Sequence, residues 1–165
     1  MPDGPVVCNA GPLIALSLVG QLDLLRQLYP RVIVPEPVFR EVVAGGLDRA
    51  GASLIASAEW LERTELAVPE PLLALELGPG EAAVLATGQL LQAQLVLIDE
   101  RRARRIAEQA YGLRVKGSAG ILVSAKRAGL ISAVVPYLDQ MVRHGYYLSN
   151  RLIERAAAEA GEPAS

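Results

Sequence analysis

Residues 95–131 read LVLIDERRARRIAEQAYGLRVKGSAGILVSAKRAGLI. Four consecutive apolar residues, Leu95 to Ile98, stop at Asp99. A short unbroken apolar run of this kind is the pattern of a strand buried on both faces of a parallel sheet. The arginine-rich stretch after it predicts a helix over 101–112, closed by Gly112. LRV at 113–115 reads as a short strand and GSAGILVSAKRAG at 117–129 as another helix, with Ser118 near its start. Strand and helix alternate, which points to a parallel sheet covered by helices.

The alternation continues toward the N-terminus. PVVC at 5–8 is a short buried strand, broken by Asn9-Ala10-Gly11-Pro12. Pro12 suits the first turn of a helix through LIALSLVG, and a second helix is expected over 21–29, with Leu22, Leu25 and Leu28 on one face. VIVP at 32–35 is a strand. Pro37 opens a helix closed by Gly45-Gly46, with Val38, Val42 and Val43 directed inward. A short helix is expected within 47–58, an extended segment over 60–66 and a short helix over 72–77. In GPGEAAVLATGQLLQA, Pro79 suits a first helical turn and Gly88 permits close packing at some cost in helix stability. Further helices are expected over 134–144 and 149–160, the last fraying into GEPAS. The expected fold is α/β, a three-layer α/β/α arrangement with a short parallel sheet. It forms a single domain over 1–165, with a core of about 4–148 and a C-terminal helix over about 149–160.

The 165 residues are 52% hydrophobic and 21% charged, a globular composition with enough chain for one core. Aromatics make up only 4%, so the core must be aliphatic, and aromatic stacking is a weak basis for predicting nucleic-acid binding. The single cysteine, Cys8, excludes an internal disulfide and a multi-cysteine zinc site and reads as a small core hydrophobe. The opening MPDGPVV lacks a basic stretch leading into a long apolar run, and no apolar run reaches membrane-spanning length, so a cytoplasmic location without membrane association is the expectation. Net charge is −2, unevenly spread. Residues 1–100 carry 5 Arg against 13 acids, and residues 101–155 carry 9 Arg and 2 Lys against 3 acids. The basic half could meet a phosphate backbone, or pack against the acidic half. Arg101, Arg102, Arg104 and Arg105 are the candidate phosphate patch, Arg101 and Arg105 sharing a helix face.

Asn9 and Asp99 each follow a predicted strand, and open parallel sheets bind ligands beyond the C-terminal ends of their strands. Helices beside those strands can bring Glu41 and Glu81 alongside. Three carboxylates and an amide oxygen make a hard, oxygen-rich set suited to Mg²⁺ or Mn²⁺, and a cation there fits phosphodiester hydrolysis. Each residue also has an ordinary alternative. Glu81 can stabilise its own helix start, Asp99 can cap the helix that follows, Glu41 can sit on a solvated face and Asn9 can form a turn. His144 reads as a helix-end residue, and Tyr146 and Tyr147 as packing residues that could touch RNA.

VVCNAGPLIAL, VIVPEPVFREVVAG, GPGEAAVLATG, the stretch 95–131 and MVRHGYYLSNRL appear in that order and cover nearly the whole chain. Together they resemble a PIN domain of a toxin-like subgroup carrying a domain of unknown function. The resemblance implies an α/β/α ribonuclease with a Mg²⁺ or Mn²⁺ site, pairing with a small antitoxin protein and forming a homodimer. Carried onto this chain, the acidic positions are Asn9, Glu41, Glu81 and Asp99, with Glu100 as the adjacent alternative to the last if the alignment shifts by one. Glu41, Glu81 and Asp99 would be catalytic, and all four would hold metal. Ser118 resembles the small polar residue near the last acidic position and is expected, with Arg101, Arg102, Arg104 and Arg105, to contact RNA; Arg104 resembles the basic residue after the acidic pair, with a salt bridge as its alternative role. Asn9 departs from the family's aspartate: its oxygen can ligate a cation, but it brings no charge and no base. That departure also suits an alternative, a non-catalytic RNA-binding or regulatory PIN protein.

Overall fold

The computed structural model describes residues 4–45, 49–73 and 75–164. Five strands, β1 (Val6–Cys8), β2 (Val32–Pro35), β3 (Leu61–Thr64), β4 (Leu95–Leu97) and β5 (Val115–Lys116), form one all-parallel sheet in the order β3-β2-β1-β4-β5. β1, β2 and β4 are buried along their whole length, as their unbroken apolar runs require. β3 lies at an edge and exposes Glu62 and Arg63, which form ion pairs with Arg31 and Glu36. The chain winds outward from β1 through β2 to β3, returns across the sheet to β4, and then winds the other way. β1 and β4 are therefore neighbours at the reversal point, paired Val6 to Leu95, Val7 to Val96 and Cys8 to Leu97.

Ten helices among the described residues flank the sheet: α1 (Ala10–Leu18), α2 (Leu24–Leu28), α3 (Glu36–Gly45), α4 (Arg49–Ser57), α5 (Glu70–Leu73), α6 (Pro79–Leu90), α7 (Arg101–Tyr111), α8 (Ser118–Arg127), α9 (Val135–Arg143) and α10 (Asn150–Ala160). α6 packs on β1, β2 and β4 beside α7, while α1 packs with α4, α8 and α9. α3 touches both α1 and α6, which carries Glu41 toward the strand ends. Gly88 lets α6 approach β4: a Cβ there would stand 2.8 Å from Val96 Cγ1. The core is aliphatic, and Cys8 lies fully inside it with its thiol pKa pushed well up by burial. No helix among the described residues is long and apolar enough to cross a membrane.

Several local expectations change. α1 begins at Ala10 and so keeps Pro12 in its first turn, but α2 is shorter than 21–29. Val43 is 43% exposed, because one helical step from buried Val42 rotates it by about 100°. The short helix over 72–77 shifts to Glu70–Leu73. Gly46, Leu47 and Asp48, named in two expectations, lie outside the described residues. The tail does not simply fray. Glu162 accepts hydrogen bonds from Lys126 Nζ at 2.8 Å and from the N–H groups of Val134 and Val135, tying the end of α10 to α8 and to the start of α9.

Candidate functional site

Asn9 is the residue after β1, at the position before α1 where a side chain would ordinarily cap the helix. It makes no such cap. It is 6% exposed, and its Oδ1 is buried without a hydrogen-bond partner. A buried amide oxygen left unpaired costs about 1–3 kcal/mol, a cost that a ligand at this oxygen would relieve. Gly80, in the first turn of α6, stands beside it. A Cβ on Gly80 would lie 3.4 Å from Asn9 Oδ1 and 2.8 Å from Glu41 Oε2, so the lack of a side chain lets these oxygens approach the same point. The Glu41 carboxyl is held above its ordinary range, first by partial burial and then by the charge of Glu81.

Asp99, beyond β4, is held differently. Its Oδ1 accepts the Ser118 N–H at 2.7 Å, at the start of α8, and its Oδ2 accepts the Ser118 hydroxyl at 2.5 Å and the Tyr146 hydroxyl. The N-terminus of α8 and two hydroxyls thus hold the side chain and fix its direction. A Cβ on Gly117 would lie 2.7 Å from Asp99 Oδ1 and 2.5 Å from Arg104 Nη1, placing the acid and the guanidinium against the same glycine. Tyr146 arrives through Gly145, whose φ of +91° is open to glycine and costly for other residues. Its phenol pKa is driven up by burial, then by the charge of Asp99 and their hydrogen bond, so it remains a donor.

Asn9, Glu41, Glu81 and Asp99 line one open cleft of about 1320 Å³. They do not close into a cage: among the described residues no three His, Cys, Asp or Glu side chains are grouped to hold a metal ion. The reasons are local. Asp99 is engaged by Ser118 and Tyr146, and Glu81 turns back toward Gly78 at the start of its own helix. The donors present still fit a hard divalent cation, since the orphaned Asn9 oxygen and the Glu41 carboxylate approach one point beside the strand ends.

Three neighbouring residues take roles other than those expected. Glu100 caps α7, accepting from Arg102 N at 3.0 Å and Ala103 N at 2.7 Å, which leaves Asp99 to the cleft. Ser118 is fully buried, so it orients Asp99 and does not present itself to RNA. Arg102 donates to the Leu75 carbonyl at 2.7 Å, outside the cleft, whereas Arg101, Arg104 and Arg105 line it.

Sequence reasoning passed over Lys116, Ser149, Arg151 and Arg155, which also line the cleft, and the bond from Tyr146 to Asp99. The i,i+4 spacing of Arg151 and Arg155 was the available signal for the two arginines. His144 follows α9 as its C-terminal cap residue.

Residues 5–162 match the sequence model of DUF3368, described as a PIN domain. Neither a curated protein nor a solved structure matches the chain significantly.

Proposed function

We propose, from the premise that this chain belongs to the PIN-domain family, that it hydrolyses RNA phosphodiester bonds with the help of a divalent cation. Membership supports a nuclease role in general, and PIN domains typically use divalent metals. The observation that carries the finer reading is the unpartnered, buried Asn9 Oδ1 at the reversal point of the sheet, beside Glu41 and in one cleft with Asp99.

On this reading Asn9 and Glu41 would hold Mg²⁺ or Mn²⁺, with Asp99 and Glu81 completing the set from the same cleft and Glu41 also orienting water. A bound cation would offset carboxylate repulsion and stabilise charge on a phosphoryl oxygen. Ser118 and Tyr146 keep Asp99 aimed. Arg101, Arg104 and Arg105 hold neighbouring phosphates. The test is calorimetric titration of Mn²⁺ with RNA cleavage followed in parallel, on wild type and Asp99→Asn. Binding of the metal and loss of cleavage in the variant are expected. Absence of binding at about millimolar Mn²⁺, or cleavage unchanged by Asp99→Asn, sinks the reading.

A second reading, a non-catalytic RNA-binding or regulatory protein, is favoured by the missing charge at Asn9 and by the separation of the acids. RNA binding without cleavage across Mg²⁺ and Mn²⁺ concentrations would select it. The toxin role, a small antitoxin partner, a homodimer and a cytoplasmic location rest on the resemblance and on sequence expectations. Co-expression with a small acidic protein encoded beside it, followed by sizing of the complex, tests the first three.

A further inference from the structure

We infer that α10 is the second cationic wall of the cleft and that the two walls together hold a single-stranded RNA, a base of which stacks on Tyr147. This rests on the reading that the cleft binds RNA.

Arg151 and Arg155 are exposed and line the cleft from α10. They lie four residues apart, on one helix face and about 6 Å apart along its axis. Arg101 and Arg105, with the same spacing, are exposed on α7 and line the same cleft. None of these four guanidinium groups makes a hydrogen bond or ion pair to a side chain or carbonyl among the described residues. Exposed arginines with no internal partner, flanking an acidic floor, suit a polyanion that bridges the walls while one phosphate is presented to the acids.

The α10 wall is anchored at both ends. Ser149 Oγ accepts from Leu152 N at 3.1 Å at its start, Glu162 ties its end to Lys126 and α9, and its own Ala156 and Ala157 are buried. The backbone that carries Arg151 and Arg155 is therefore held in place beside the cleft. Tyr147 also lines the cleft and is 85% exposed, in a chain with only seven aromatic residues. Its neighbour Tyr146 is turned down to Asp99, so the pair presents one ring to the acid and one to the opening. An exposed ring offers a face to an unpaired base, which a duplex keeps within its own stack.

The test is fluorescence anisotropy with a labelled single-stranded oligoribonucleotide of about 12 nucleotides, in EDTA to stop cleavage, over a range of salt. Arg151→Ala/Arg155→Ala should weaken binding about tenfold and flatten the log–log salt slope by about 1.4, the loss of two single-strand phosphate contacts. Tyr147→Ala should weaken binding about tenfold without changing the slope, and Tyr147→Phe should bind as wild type. A duplex of the same sequence should bind at least about tenfold more weakly. All substituted side chains are at the surface, so unchanged melting temperatures are expected. Wild-type affinity and slope in the double arginine variant, or equal affinity for the duplex, would overturn the inference. If wild type then still cleaves RNA with Mn²⁺, the nuclease reading stands without it. Conversely, the expected binding losses with no cleavage by wild type would uphold the groove and overturn the nuclease reading.

Discussion

The Tyr146 hydroxyl donates a hydrogen bond to Asp99, 47 residues earlier in the chain. The bond joins the segment after α9 to the end of β4, and with Ser118 it leaves Asp99 little freedom to turn. A hydrogen bond to a charged group contributes about 1.5–3 kcal/mol. Tyr146→Phe keeps the ring that packs against the core but frees one carboxylate oxygen. Cleavage should fall about tenfold in kcat, with KM for RNA nearly unchanged and Mn²⁺ affinity altered. The raised phenol pKa keeps the donor protonated, so the deficit should be the same from about pH 6 to 9. A change confined to KM would show that Tyr146 contacts substrate and does not position Asp99.

Gly80 separates stability from activity. Alanine is the better helix former, by up to about 1 kcal/mol in a helix interior and less in the first turn. Its Cβ would stand 2.8 Å from Glu41 Oε2, which must move, and 3.4 Å from Asn9 Oδ1. Gly80→Ala should therefore melt near the wild-type temperature yet lose most of its Mn²⁺ response, measured as the rise in melting temperature on adding metal. Full metal response in this variant would remove Glu41 from the set.

Arg102 and Arg105 look equivalent in RRARR but are not. Arg102 is committed to the Leu75 carbonyl, while Arg105 lines the cleft. Arg102→Ala should cost about 0.5–1.5 kcal/mol of stability and leave RNA affinity intact. Arg105→Ala should leave stability intact and weaken RNA binding, with a salt slope lower by about 0.7. Denaturant melts and anisotropy on the two variants distinguish them, and equal loss of RNA affinity would contradict the assignment.

The strands were legible because β1, β2 and β4 are buried on both faces and so must be apolar throughout. Edge strand β3 mixes Leu61 with Glu62 and Arg63 and reads only as extended. Strand order was not legible. That β1 and β4 are partners depends on a return crossover that no local pattern encodes, yet this pairing brings Asn9 and Asp99 to the same end of adjacent strands. Adjacent acids were equally ambiguous: Asp99 and Glu100 are chemically alike, and the choice of Glu100 as the cap of α7 follows from backbone direction after β4. Tyr146 and the α10 arginines were missed because their partners or shared surface lie far away in sequence. The neutral Asn9, by contrast, was visible at once, although its lack of a hydrogen-bond partner was not.

That unpartnered oxygen yields a double-edged variant. Asn9→Asp places a charge at a site that is 6% exposed, in a cleft already holding Glu41, Glu81 and Asp99. Without metal the added carboxylate has no hydrogen-bond donor at Oδ1 and meets like charges, so the apoprotein should melt several degrees lower. With Mn²⁺ the same charge attracts the cation, and affinity should rise about tenfold. The gap between metal-free and metal-loaded melting temperatures should widen in Asn9→Asp and nearly close in Asn9→Ala, with RNA cleavage following the same order. If Asn9→Asp is less stable without metal and gains nothing when Mn²⁺ is added, the Asn9 oxygen is not a ligand, and its isolation is a packing cost with no catalytic return.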